Sequence, residues 1–197
     1  MEFKIDNVEL MGLSSSKISA SNSFKTTMLN CMNEPTDVDD RRAKHLGSKP
    51  SGSGEDNYLT GIIVNFDLYA PLYMWKQIQR YHFFQIVSSQ STMHCVKAFD
   101  ISKQVVEDTD PRVVEICEEL KNNYLNDGSE ENFRKLIASL PSGFVLGARV
   151  STNYAQLKTI YKQRKGHKLR EWSEFLGFCC ELPEFLELTG VEPDELD

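Results

Sequence analysis

Gly61 to Tyr69 reads GIIVNFDLY, and this stretch decides the fold class. Ile62, Val64, Phe66 and Leu68 fall on one side of an extended chain, and Asn65 and Asp67 fall on the other. A period of two predicts a strand with one face turned to a core. Pro71 follows and opens a predicted helix whose stripe runs through Leu72, Trp75, Ile78, Tyr81 and His82. Upstream, residues 2–13 predict a weaker strand, and Ser14 to Ser23 a loop or short helix entry. A helix is expected from Pro35, with Asp37, Asp39 and Asp40 near its positive end and Gly47 as its stop. The stretch 48–57, rich in Gly, Ser and Pro, predicts a mobile loop.

Downstream, Asp110-Pro111 caps a predicted helix through Val113, Val114, Ile116, Cys117, Leu120 and Tyr124. Asn126-Asp127-Gly128 ends it, and Glu130 to Leu140 follows as another helix before a turn at Leu140-Pro141-Ser142-Gly143. Thr152 to Leu182 predicts two helices broken near Gly166. Strands mixed with helices, and helices dominating the second half, give an α/β or α+β class.

The 197 residues fit one domain, with 40% hydrophobic and 26% charged residues. That composition excludes a wholly disordered, collagen-like or coiled-coil chain. No apolar run is long enough to cross a bilayer, and MEFKIDNVEL carries charges where a signal peptide would be apolar. No membrane partner and a cytoplasmic location are expected. Five cysteines without regular spacing suit a reducing compartment. The net charge of -7 is uneven: Glu181 to Asp197 hold seven acids and no base, leaving 22 acids against 22 bases elsewhere. We expect one domain over 1–182 and an acidic tail over 183–197. Just before the tail, Lys158, Lys162, Arg164, Lys165, Lys168 and Arg170 fall within thirteen residues that hold no acid. Local charge decides what a site attracts, so a phosphate ligand stays compatible with the acidic total.

Three groups of residues could carry chemistry. Gln77, Arg80 and His82 on the predicted helix run into the hydroxyl-rich Ser88, Ser89, Ser91 and Thr92. Residues three apart share a helical face, and a guanidinium suits phosphate or a polarised carbonyl. The plain alternative is a surface arginine beside a serine-rich turn. Asn153, Gln156, Ile160, Arg164 and His167 succeed one another at helical spacing, and a solvated basic helix is the simple reading of that run. His82, His94, Cys95, Cys179 and Cys180 match no zinc spacing, so no metal is assigned, and Cys179-Cys180 read as core thiols. No nucleophile elbow, G-x-G-x-x-G or Walker loop is present.

The order of these features resembles the flavin-dependent thymidylate synthases. A strand ending Phe66-Asp67-Leu68, then Gln77-x-x-Arg80, then Ser88-Ser89-Gln90-Ser91-Thr92 carries the likeness. Leu140-Pro141, Asn153, Arg164 and the His167/Glu171 pair continue it in the same order, over roughly 8–182. The family's R-H-R is here Arg80-Tyr81-His82, Ser89 replaces its Glu, Met93 its Arg, and Ala155 the Arg of its Asn-x-Arg. His94 stands where its Tyr is usual.

The resemblance implies a central mixed or antiparallel sheet flanked by helices, as in the thymidylate synthase-complementing proteins. It further implies an FAD-dependent methyltransferase activity, the reductive methylation of dUMP to dTMP. Methylenetetrahydrofolate would be the carbon donor, NADPH the reductant of the flavin, and the assembly a homotetramer. Carried over by residue, it places Arg80 and Ser91 as catalytic, and Arg80, His82, Asn153 and His167 at the flavin. Gln77, Ser89, Ser91 and Arg164 would bind the pyrimidine nucleotide. The alternative is a catalytically inactive nucleotide- or nucleic-acid-binding protein on the same fold, supported by the run from Lys158 to Arg170.

Overall fold

The computed structural model of the chain describes residues 2–193. Four strands, β1 (Lys4–Met11), β2 (Ile63–Pro71), β3 (Gln85–Ser89) and β4 (Val145–Asn153), form one antiparallel sheet in the order β1-β2-β4-β3. The helices are α1 (Leu13–Ser19), α2 (Asp37–Gly47), α3 (Leu72–Ile78), α4 (Thr92–Cys95), α5 (Pro111–Asp127), α6 (Glu130–Ser139), α7 (Tyr154–Arg164), α8 (Arg170–Glu181) and α9 (Phe185–Thr189). Three short 3-10 turns lie among them.

The expected strand is β2, and Val64, Phe66 and Leu68 on its predicted face are fully buried, as is Ala70 beyond the predicted stretch. Its antiparallel register with β4 is fixed at both ends. Tyr154 N–H donates to Ile62 C=O at 3.1 Å, and Leu72 N–H donates to Phe144 C=O at 3.0 Å. In that register Tyr69 lies opposite Gly147, where a Cβ would come within 2.6 Å of the Tyr69 ring. Only glycine lets the ring lie that close to the neighbouring backbone. Asp67 and Arg149, also opposite, pair at 3.3 Å on the half-exposed face.

The chain divides into two compact units. The first comprises Met1–Asp6, Asp67–Arg80 and Ile86–Val150. Its core of Val96, Ile101, Val105, Cys117, Leu136 and Phe144 lies under the α5–α6 hairpin. Asp110 caps α5 by accepting from Arg112 N–H, as expected, with Pro111 in the first turn. Gly128 ends the helix in the left-handed region at φ 65°, and Ser129 caps α6.

The second unit comprises Asn7–Phe66, Tyr81–Gln85 and Ser151–Asp197. Phe66, Phe84, Phe175 and Phe178 form an aromatic cluster with centroids 5.1–6.2 Å apart. Helix α2 is capped by Thr36 rather than opened by Pro35. The Thr36 hydroxyl accepts from Asp39 N–H, and the Asp39 carboxylate accepts from Thr36 N–H, a reciprocal box that outcompetes proline's preset dihedral. Within the stretch read as an acidic tail, α9 folds and buries Phe185 and Leu188, the former edge-on to Tyr154 at 5.2 Å. Asp194, Glu195 and Asp197 of that tail lie outside the described residues.

Two strands escaped the sequence pattern. Strand β3 is exposed along its whole length, so no burial alternation marks QIVSS. In β4 (VLGARVSTN), Gly147, Arg149 and Ser151 break the apolar run, because their side faces Tyr69 and Asp67 rather than a core.

Candidate functional site

Helix α3 stops earlier than its stripe suggests. Gln79 N–H bonds to Trp75 C=O, and Arg80 N–H then reaches only to Gln77 C=O at 3.4 Å, a tightened last turn. Arg80 and His82 therefore lie past the helix. The helix is anchored by Trp75, whose Nε1–H donates to Leu146 C=O at 3.1 Å.

In the first unit, Gln77 is half-buried on α3 and Arg80 is exposed. The Arg80 guanidinium forms no ion pair among the described residues. Ser89 ends β3, and Gln90 fastens that end to β4. Its N–H donates to Gly147 C=O at 2.9 Å, and its Oε1 accepts from Gly147 N–H at 2.8 Å. Ser89 and Ser91 flank this clamp in the sequence, both outside any helix. Ser91 precedes α4, but its hydroxyl makes no capping bond. A cavity of about 130 Å³ opens beside Ser89, walled by Leu72, Trp75, Ile86 and Leu146 with Gln79 at its polar side. Pockets that enclose whole small molecules usually hold about 300–1,000 Å³. This one has room for a ring-sized part of a ligand.

In the second unit, Gln156, Ile160 and Arg164 keep helical spacing along α7 with Asn153 at its cap and turn inward, while His167 lies beyond the helix end. Asn153 caps α7, its Oδ1 accepting from Gln156 N–H at 2.9 Å, and both residues are buried with Ile160. Arg164 lies between two rings: Nε donates to Tyr81 OH at 2.8 Å, and the guanidinium is 4.4 Å from the Trp172 centroid. The expected solvated basic helix is corrected on this side, because Asn153, Gln156 and Ile160 are buried and Arg164 meets Tyr81 and Trp172.

His167 is edge-on to Trp172 at 6.1 Å, and its Nδ1 accepts from Leu169 N–H at 3.1 Å. Burial, and then the Arg164 charge, push its imidazole below the ordinary value. His82 is exposed, its ring edge-on to Phe83 at 4.8 Å.

The basic run also loses Lys158, which is fully buried. Its ammonium donates to Asp56 Oδ2 at 2.6 Å and to Gly47 C=O at 2.7 Å. Lys162, Lys165, Lys168 and Arg170 remain exposed. Spacing alone gave no sign of this pair, since Asp56 and Lys158 are far apart in sequence. Cys179 is buried and its thiol raised well above the ordinary value by burial, as suits a core thiol. Among the described residues no three His, Cys, Asp or Glu side chains gather as metal ligands, and no helix is long and apolar enough to cross a membrane.

No family model and no curated sequence matches the chain. Solved structures do. The flavin-dependent thymidylate synthase ThyX of Helicobacter pylori, complexed with FAD and dUMP, superimposes with a TM-score of 0.71 at 12% identity, over 94% of this chain and 97% of that one. A second structure of the same enzyme with FAD and dUMP gives 0.72 at 13% identity, over 95% and 97%. The UMP/dUMP methylase PolB of Streptomyces cacaoi, bound with 5-Br dUMP, gives 0.65 at 14% identity, over 90% and 88%. Likeness over nearly the full length at such low identity speaks for architecture rather than for chemistry: this chain has the fold of the flavin-dependent thymidylate synthases.

Proposed function

We propose that this chain binds FAD and a pyrimidine deoxynucleotide through Gln77, Arg80, Ser89 and Ser91, and that its reaction is the reductive methylation of dUMP to dTMP. The observation that carries the reading is in the first unit. An exposed arginine with no carboxylate partner among the described residues precedes a fully exposed strand, whose last residue, Ser89, lines a ring-sized cavity, with Ser91 two residues on. A guanidinium and free hydroxyls fit a phosphate-bearing ligand, and the apolar walls with Gln79 fit one flat ring. The donor set thus suits a nucleotide or dinucleotide cofactor.

A bound flavin supplies hydride transfer, while the protein holds, orients and excludes water. Arg80 anchors the negative charge and polarises the pyrimidine carbonyl, and Ser91 donates to the nucleotide. Asn153, Arg164 and His167 act as framework, since each is already held by its own unit. NADPH and methylenetetrahydrofolate are the co-substrates in this reading, a homotetramer is the working form, and the cytoplasm is the location. Met93 and Ala155 stand in place of two family arginines, and each lost charge-assisted contact weakens binding by about 1.5–3 kcal/mol. Affinity is therefore expected to be modest. The nucleic-acid alternative is weakened, because Lys158 and Arg164 are committed inside the second unit.

The test is the visible absorbance of the protein after excess FAD is added and unbound FAD removed. A retained flavin spectrum, lost in Arg80→Ala with the fold intact, supports the site. Equal retention by that variant refutes it.

A further inference from the structure

Gln90 closes the last rung of the sheet with its side chain instead of its backbone carbonyl. In a hydrogen-bonded antiparallel pair, two opposite residues exchange both of their backbone N–H···O=C bonds. The Gln90 backbone supplies half of that exchange: its N–H donates to Gly147 C=O at 2.9 Å, while Gly147 N–H donates to Gln90 Oε1 at 2.8 Å. A side chain that takes a ladder partner competes with the ladder, and β3 accordingly stops one residue earlier, at Ser89. Gly147 is buried, so its N–H relies on that carboxamide for a partner. Two adjacent residues of β4 thus fasten two of the elements around the cavity. Leu146 C=O holds α3 by accepting from Trp75 Nε1–H at 3.1 Å, and Gly147 holds the end of β3 through Gln90. Trp75, Leu146, Gly147 and Ser89 all line that cavity, and all belong to the first unit. Downstream the chain is pinned again. Cys95 N–H donates to Ser91 C=O at 2.9 Å, and Val96 is buried in the first unit's core. Ser91 lies between these two anchors, with a hydroxyl that makes no capping bond.

We propose that Gln90 is a positioning residue for the nucleotide: its carboxamide fixes Ser89 at the cavity and releases the chain from the ladder at Ser91. This rests on the nucleotide-binding reading above and adds to it the side chain that holds the two serines in place. Had the Gln90 backbone carbonyl taken the Gly147 N–H, the pair would be regular and the strand free to run on past Ser89. Hydroxyl donors held in place before a ligand arrives lose little freedom on binding, whereas donors that must first be ordered bind more weakly. The effect of Gln90 on affinity is indirect and runs through Ser89 and Ser91.

The experiment compares dissociation constants for dUMP, read by isothermal titration calorimetry, in four proteins. These are the unaltered chain, Gln90→Met, the pair Ser89→Ala/Ser91→Ala, and all three substitutions together, with circular dichroism as the check on the fold. Methionine keeps the length of the side chain and removes the acceptor. Gln90→Met should bind dUMP about tenfold more weakly. Once both serines are alanine it should weaken binding no further, because residues that act through one another are not additive. Unchanged affinity in Gln90→Met overturns the positioning role. An equal tenfold loss in the background without serines overturns it too, since Gln90 would then serve the fold and not the serines. Gln90→Glu keeps the acceptor and decides the matter if the methionine variant fails to fold. Its Gly147 amide should stay protected from hydrogen exchange, and deoxyuridine, which has no phosphate for the new carboxylate to repel, should bind as it does to the unaltered chain. Weaker deoxyuridine binding with that amide still protected overturns the positioning role, because Gln90 would then meet the ligand itself. Failure of the unaltered chain to bind dUMP overturns the nucleotide-binding reading and the positioning role with it.

Discussion

Replacing Lys158 with methionine should cost the protein much of its stability and none of its ligand affinity. Lys158 is fully buried, and its ammonium uses its donors on Asp56 Oδ2 at 2.6 Å, Gly47 C=O at 2.7 Å and Lys49 C=O at 2.5 Å. Methionine fills similar volume but donates to none of these. The Asp56 side chain, only 7% exposed, is left as an uncompensated charge. Breaking a buried pair from one side costs about 3–5 kcal/mol. With an m-value of about 2 kcal/mol/M, the urea midpoint should fall by about 1.5–2.5 M. The double variant Lys158→Met/Asp56→Asn removes the stranded charge and should recover part of that loss, which separates ion pairing from packing. Flavin binding, measured under conditions where both variants are folded, should equal that of the unaltered chain. A midpoint shift below about 0.5 M would refute the reasoning, as would a double variant less stable than the single one. Either result would mean that water reaches the pair.

The remaining predictions concern the ring of residues around Trp172. His167 is held below its ordinary value by burial and by Arg164, so the folded state resists its protonation. The unfolded state then binds more protons, and stability is complete above about pH 6.5 and falls as pH drops through the lowered folded value. Denaturation curves across pH 7 to 5 should show this decline, and His167→Gln should flatten it; an unchanged slope would contradict the assignment. Arg164→Gln removes the contacts to Tyr81 and Trp172 and should cost about 1–2 kcal/mol while altering Trp fluorescence. It should also raise the His167 titration midpoint toward the ordinary value, which nuclear magnetic resonance of the imidazole would read directly.

Much of the fold was legible in order along the chain. The alternation in GIIVNFDLY placed β2 and its buried face, Asp110-Pro111 and Gly128 bounded α5, and Gly166 separated α7 from α8. These signals are local, because backbone dihedrals, caps and the period of apolar residues act over a few positions. Strand β4 was not legible. Its outward side chains answer to Tyr69 and Asp67 across the sheet, and such partners have no mark in a linear pattern. The inward turn of Gln156, Ile160 and Arg164 had the same origin: spacing showed that these residues share a face, and only the packing of Tyr81 and Trp172 shows which way that face points.

The chemistry divides along the same line. Sequence alone determined which residue types stand in the order of the flavin-dependent thymidylate synthases, and that Met93 and Ala155 stand where guanidinium groups would be. Tertiary structure decided which charges are available to a ligand. Arg80 is presented to solvent, while Lys158 is neutralised by Asp56 and Arg164 is stacked on Trp172. It also decided that the Gln90 carboxamide takes the Gly147 N–H. The physical reason is that charge and hydrogen-bonding capacity are properties of a residue. Availability is a property of its surroundings, set by contacts between segments as far apart in the chain as Asp56 and Lys158.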